Sequence, residues 1–434
     1  MPDVELRQQI RAARGCFVAM LVTYCLGVFN DSLFRESSML LAQERGLTTL
    51  HGLIMTIFAL PYVLFAGYCG WLADRFSKRH VMIGAKLLEL AAMICGAAGI
   101  LFMHWPAVVA MVFLMGTHSA IFSQSMIGSI PELYPAEYVT TANAFVKVFV
   151  TATILLGVAA SGPLLHYEFP SIGGVPLGRA IVACTVVAIA AAGVVSSFAL
   201  PRLPAADPKK PFPWRGPLHT IGDLRRISKD RLLAVTIAAD TFIWFVGALF
   251  VPIINKLGID RFASKRTASL LIASEMIGVA VGGYLASRFA RGRRWYRVLP
   301  PAALAMTVLM LATSAVSRLP ASWHLAALFV LVGLTGIAGG MFMIPCEAFF
   351  QTRPPQERKG SVIASANCAS FIGVLLSGIV AIGLNHWLMP LHSFAVVAVL
   401  SAAVGAWLTW ALPRADRAGS NDSEEPLAVE EPGE

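Results

Sequence analysis

Seven ionisable or amide side chains stand inside long apolar stretches of this chain: Asn30, Asp31, Arg35 and Glu36 within FNDSLFRES (29–37), then His118, Asp240 and Glu275. An ionisable group in hydrocarbon costs about 2.5–3.5 kcal/mol on insertion scales, so each needs a partner or a wet cavity. A carboxylate with an amide beside it can receive an ammonium or a coupling cation, and a guanidinium can hold a phosphate. Asp31, Arg35 and the other membrane-embedded groups are therefore candidate substrate contacts. Asp31 and Arg35 are also one helical turn apart, close enough to neutralise each other. The competing reading of Arg35 and Glu36 is a helix-end ion pair, and that of His118 a neutral imidazole satisfied by one backbone or hydroxyl partner. For Asp240 the competing reading is a buried partner of a helix dipole or hydroxyl. Asp240 follows Asp31 by 209 residues, about as deep into the second half of the chain, so the two are expected to face each other across a pseudo-twofold axis. Lys86 and Glu89, spaced i,i+3, are expected to pair and snorkel. Glu132, Lys147 and Glu347 fall near helix ends and are gate candidates, with Asn143 and Asn367 as hydrogen-bonding partners; interhelical structural contacts are the alternative.

The elements that carry these residues are membrane helices. Of the 434 residues 57% are hydrophobic and 14% charged, and apolar blocks of about 20 residues recur, the length needed to cross a bilayer core. Twelve such spans are expected, at 15–40, 50–73, 80–103, 106–130, 141–165, 178–200, 231–254, 267–288, 298–317, 322–346, 361–386 and 391–412. Backbone groups in lipid must bond within their own segment, and scattered Gly and Pro do not make the alternating pattern of a barrel, so the fold class is all-α and multi-pass. The polar N-terminus lacks a cleavage site after a short apolar core, so the first block is expected to be retained as a helix.

Of the 34 Lys and Arg residues, 24 lie in the even-numbered gaps or at the termini, which predicts cytoplasmic N and C termini. The net charge of +9 is thus a topology signal and not a nucleic-acid surface. The seven cysteines lie in apolar segments without a CxxC pair and read as packing residues; no metal or cofactor is implied. A Pro-rich basic stretch at 201–230 reads as a cytoplasmic linker between a six-helix half at 1–200 and another at 231–412, with an acidic tail at 413–434 expected to be disordered.

GWLADRF at 70–76 and GYLASRF at 283–289 agree at five of seven positions, 213 residues apart. A weaker echo pairs Pro131, Glu132, Ala142 and Asn143 with Pro345, Glu347, Ala366 and Asn367. Two pseudo-symmetric six-helix repeats that rock about a central site are expected, exposing a cavity to one side at a time.

The first copy, GWLADRFSKRHVM, resembles the loop signature of the major facilitator superfamily. In that pattern Gly70 allows close helix approach, Asp74 faces the N-terminal end of a neighbouring helix, and Arg75, Lys78 and Arg79 bond cytoplasmic carbonyls, latching one conformer. Ser287 replaces the acid in the second copy. FNDSLF (29–34), IPELYPAEYVTTANAFV (130–146), FIWFVGA (242–248), IGVAVGGYLASRFARGR (277–293) and ERKGSVIASAN (357–367) resemble the bacterial lysophospholipid transporter branch, and the membrane half of fused acyltransferase/acyl-carrier-protein synthetases. The resemblance implies a major facilitator fold, a bacterial inner-membrane location, Asn30 and Asp31 on the cavity side, and alternating-access translocation of lysophospholipids. A separate acyltransferase is the partner that it admits, and a monomer is expected. Two departures are visible. The basic residue that the branch carries before its Pro-Glu pair is missing here, where the chain has Ser125-Met126-Ile127-Gly128, and the second Asn of the helix-1 pattern is Ser32. None of the nine His has an Asp five residues on; His219 with Asp223 comes nearest, so no acyltransferase motif and no enzyme is expected. The rival functions are a proton-coupled exporter of amphipathic drugs or metabolites and a non-transporting subunit that presents lysolipid to an acyltransferase.

Overall fold

The computed structural model describes residues 2–167, 169–214, 230–290, 294–352 and 356–421. His219, Asp223, the second part of the linker (215–229) and the last residues of the acidic tail (422–434) lie outside the described residues.

The first half consists of α1 (Pro2–Glu44), α2 (Thr48–Leu64), α3 (Ala66–Arg75), α4 (Lys78–Leu101), α5 (Trp105–Leu133), α6 (Ala136–Leu165) and α7 (Leu177–Ser197). The second consists of α8 (Arg231–Phe262), α9 (Lys265–Phe289), α10 (Leu299–Ser314), α11 (His324–Thr352), α12 (Gln356–Trp387) and α13 (Pro390–Asn421). Eleven helices are long and apolar enough to cross a bilayer, and α2 with α3, bent by 51°, completes a twelfth. The bend follows Pro61, whose ring lacks an N–H and crowds the carbonyl one turn earlier.

Helix bounds depart from the sequence expectation at both ends of the chain. Helix α1 begins at Pro2, well before 15, and α13 runs through Pro413 to Asn421, into what the composition marks as tail. Between α6 and α7 a small hairpin, unanticipated, pairs Ile172 with Val175. Its turn is Gly173-Gly174, both at positive φ (55° and 81°), which the two central residues of such a turn require.

With twelve spans, the start of α1, the end of α13, residues 201–214 and the loop after α3 share one face of the bundle, called here the linker face; the loops after α1, α4, α6, α8, α10 and α12 share the far face. Helices α9 and α11 cross so closely that a methyl group at Gly278, Gly282, Gly336 or Gly340 would collide with a backbone carbonyl of the other helix. Omitting the side chain brings the two backbones together, which is how helices gain contact where lipid supplies no hydrophobic drive. The GVAVGG and GLTGIAGG stretches thus form one interface.

The halves meet along α2 with α12 and along α6 with α9. Gly52 abuts Gly378 and Ile382, Tyr62 stacks on Phe371 with ring centroids 3.8 Å apart, and Gly162 abuts Lys265 and Ser269. At the far face polar groups tie the halves together. Gln43 donates to Asp260 at 3.3 Å and lies 3.1 Å from His51, whose other ring nitrogen is 3.4 Å from Asn255. Lys265 pairs with Glu44 at 2.7 Å, and the Ser269 hydroxyl lies 3.0 Å from both Ser161 Oγ and the Gly162 amide. The far face is therefore closed by bonds from each half to the other.

Candidate functional site

The apolar length of α1 places Asn30 and Asp31 among α4, α5 and α7, with both side chains buried. Asp31 does not pair with Arg35. Helix α5 presents two groups that reach it first: Ser119 donates to Asp31 Oδ2, and His118 Nε2 lies 3.1 Å from Oδ1. Arg35 instead lies over the Phe58 ring, 4.5 Å from its centroid. Glu36 turns into the protein, 1% exposed, with Oε1 lacking a hydrogen-bond partner, so the helix-end ion pair is not formed either.

His118 is bonded to a carboxylate rather than to a backbone or hydroxyl group. Its other ring nitrogen is 4.0 Å from Glu89 Oε2. Glu89 receives the Lys86 ammonium at 2.7 Å and the Asn30 amide at 3.3 Å, while Asn30 also donates to the Val186 carbonyl at 2.9 Å. Lys86 and Glu89 thus pair as their spacing suggests, but they do not snorkel. They are 2% and 0% exposed, with the ammonium 4.9 Å from the Phe122 ring centroid. A side chain at Gly27 would displace that ammonium.

The cluster therefore runs Lys86–Glu89–Asn30 and His118–Asp31–Ser119 across α4, α1 and α5. Lys86, Glu89 and Asp31 together carry one net negative charge. A cation supplied by a ligand would balance it, and in a low-dielectric interior an uncompensated charge is costly. Chemically this is a cation-receptive site whose acceptors are held in place by fixed donors.

The second half holds its acids apart. Asp240 on α8 accepts from Ser370 on α12 at 2.7 Å, with Oδ1 unpaired, and makes no bond to Asp31. Glu275 on α9 is partly buried, and no hydrogen bond or ion pair reaches its side chain among the described residues. Its backbone carbonyl packs against Gly336.

The family model described as Major Facilitator Superfamily matches residues 15–373. The chain belongs to the major facilitator superfamily. A lysophospholipid transporter, LplT, of Citrobacter koseri is 29% identical over 371 residues, covering 83% of this chain and 86% of that one. The LplT of Yersinia enterocolitica is 29% identical over 389 residues, with 87% and 88% covered. The inward-open xylose transporter XylE of E. coli shares the fold, with a TM-score of 0.68 at 13% identity over 91% of this chain and 96% of that one. So does a bacterial homologue of the human lysosomal transporter Spinster, with a TM-score of 0.67 at 16% identity over 94% and 98%.

The major facilitator loop signature is engaged with the linker. Asp74 pairs with Lys210 at 2.5 Å rather than with a helix N-terminus. Arg75 and Trp71 both donate to the Lys210 carbonyl, at 2.8 and 3.2 Å, and Ser77 donates to the Leu203 carbonyl at 2.8 Å. Arg79 reaches the Phe198 carbonyl at 2.7 Å, and Lys78 pairs with Glu132 inside the first half. No close approach occurs at Gly70, around which a methyl group would meet nothing within 4 Å. Lys147 on α6 pairs with Glu347 on α11 across the halves. Asn143 and Asn367 bond neither Glu132 nor Glu347 among the described residues. Sequence reasoning left out Glu89, Lys86 and Ser119 as site members; only the i,i+3 spacing of the first two signalled anything.

Proposed function

We propose that this chain translocates lysophospholipids by alternating access across a bacterial inner membrane, with both termini in the cytoplasm. The observation that carries the reading is the buried cluster around Asp31, in a chain similar to LplT over more than four-fifths of its length. A lysolipid acyl chain of about 16 carbons costs on the order of 12 kcal/mol to expose to water, at about 0.8 kcal/mol per CH₂. The tail therefore stays in lipid or between helices while the headgroup crosses a polar centre. Asp31, steadied by His118 and Ser119, receives the headgroup ammonium or a coupling cation, and Asn30 and Glu89 support it. Arg35, Asp240 and Glu275 are the remaining headgroup contacts.

On this reading the halves at 1–200 and 231–412 rock about the cluster. Lys147–Glu347 and the Asp74, Arg75, Lys78, Arg79 and Glu132 contacts form and release at the cytoplasmic mouth, with Gly70, Asn143 and Asn367 beside them. The protein works as a monomer and is not an enzyme; a separate acyltransferase consumes the lysolipid it delivers. The LplT relatives favour this over export of other amphiphiles or a purely presenting subunit.

The test is movement of labelled lysophosphatidylethanolamine in proteoliposomes, with and without an imposed ion gradient, beside Asp31→Asn. Movement that the folded variant loses is the expected result. Wild-type movement in Asp31→Asn removes Asp31 from the mechanism, and no movement by wild type under any gradient overturns the lysolipid reading.

A further inference from the structure

At the far face, where α1, α7 and the hairpin between α6 and α7 meet the start of α9, lies a half-open cavity of about 450 Å³. That is within the roughly 300–1,000 Å³ range of small-molecule sites. Its walls divide by chemistry. Leu41, Met103, Leu165 and Phe169 make one side apolar, and Arg45, Arg179, Lys265 and Glu44 make the other charged. Lys265 and Glu44 answer each other at 2.7 Å. Arg45, which is exposed, and Arg179, which is half-buried, have no acid within ion-pair distance: among the described residues neither side chain makes an ion pair or a hydrogen bond, although Arg179 is near enough to feel the charge of both Arg45 and Glu44.

Two guanidiniums without an ion-pair partner of their own line one cavity and repel each other, and their five N–H donors apiece suit a phosphate. They also stand on the face with few cations, where only eight of the 34 Lys and Arg residues lie, so a topology role does not explain them. The adjoining apolar wall is made of Leu41 and Leu165, near the far-face ends of α1 and α6, and of the loop residues Met103 and Phe169, the last 84% exposed. The cavity borders the α6–α9 seam, one of the two lines along which the halves meet.

We infer that this cavity is a docking site for the phosphate headgroup of a single-chain phospholipid, with Arg45 and Arg179 holding the phosphate and the first part of the chain lying on Leu41, Leu165 and Phe169. The inference rests on the lysolipid reading for its biological sense but locates a site that reading does not contain. It places substrate capture at the far face, before the halves part along α6 and α9. It also gives the chain a phosphate-binding pair despite Met126, where its relatives' pattern has a basic residue.

The experiment uses the full chain in lipid nanodiscs with a photoreactive lysophosphatidylethanolamine, mapping labelled peptides by mass spectrometry. Labelling is expected on segments 37–45 and 169–179, suppressed by unlabelled lysophosphatidylethanolamine and not by monoacylglycerol or inorganic phosphate. In Arg45→Gln/Arg179→Gln it should fall about tenfold, the equivalent of losing one strong charge-assisted contact. Arg45→Lys/Arg179→Lys should recover part of it, which shows that charge and not folding was lost, and Asp31→Asn should label as wild type does. In proteoliposomes the Gln variant should raise KM by a similar factor with the maximal rate unchanged. Labelling that survives in the Gln variant, or that monoacylglycerol suppresses equally, overturns the proposal. Suppression by inorganic phosphate makes it a free-anion site and overturns it too. If wild type labels here yet moves no lysolipid, the transport reading fails and the docking site stands. If it moves lysolipid while the Gln variant keeps its KM, the docking site fails and the transport reading stands.

Discussion

The two halves bury polar groups in opposite ways. The first spreads Asn30, Asp31, Lys86, Glu89, His118 and Ser119 over three helices so that within this cluster only Asn30 Oδ1 goes unbonded, although Glu36 Oε1, further along α1, has no partner. The second gives Asp240 a single hydroxyl and Glu275 no bonding partner among the described residues, and it invests instead in backbone contact between α9 and α11. Duplication of a fold has thus not carried a duplicated chemistry with it. One half holds charge in place, and the other sets two lightly restrained acids beside a closely packed α9–α11 seam.

The contrast can be broken most forcefully at Glu89. Glu89→Gln leaves the Lys86 ammonium buried without its counter-charge, and loss of one partner of such a pair costs about 3–5 kcal/mol. Unfolding of the detergent-purified protein should show it, and Lys86→Met/Glu89→Leu should recover most of the loss; an unaltered single variant would mean that the first half does not depend on its charge network. In the second half the equivalent stress is Gly336→Leu, which drives a side chain into the Glu275 carbonyl and should cost about 1–3 kcal/mol or more in thermal stability. Gly70→Ala, in open surroundings, should cost nothing. Ser370→Ala strips Asp240 of its donor at about 1–3 kcal/mol, whereas Glu275→Gln, which breaks no bond, should leave stability unchanged while altering transport kinetics. The smallest effect is expected at Lys147, whose side chain is 43% exposed: Lys147→Ala should shift stability by less than about 1 kcal/mol, and the charge swap Lys147→Glu/Glu347→Lys should behave as wild type.

The spans were legible because hydrocarbon imposes one length and one polarity on every crossing. The bend at Pro61 and the extensions of α1 and α13 were not, since a helix that leaves the bilayer no longer announces itself by apolar length. Asn30 and Asp31 stood out as polar groups at a cost in lipid. Lys86 and Glu89 did too, but their place near the linker-face end of α4 suggested the interface, and which neighbours surround a helix is not written in its own residues. The His51–Asn255 contact joins positions 204 apart, with no local pattern at either end. The Asp31–Arg35 spacing satisfied a rule for isolated helices that two side chains on α5 overrode.

The strap of the linker on the first half bears on where this chain can be cut. Leu203 and Lys210 are tied to Trp71, Asp74, Arg75 and Ser77, so residues 201–214 belong mechanically with the segment before them. A gene split at residue 200 would deprive the first fragment of the lysine that meets Asp74. Coexpressed pieces cut between 214 and 215 keep every one of those bonds within a single polypeptide, and they should reassemble into the more active two-piece transporter.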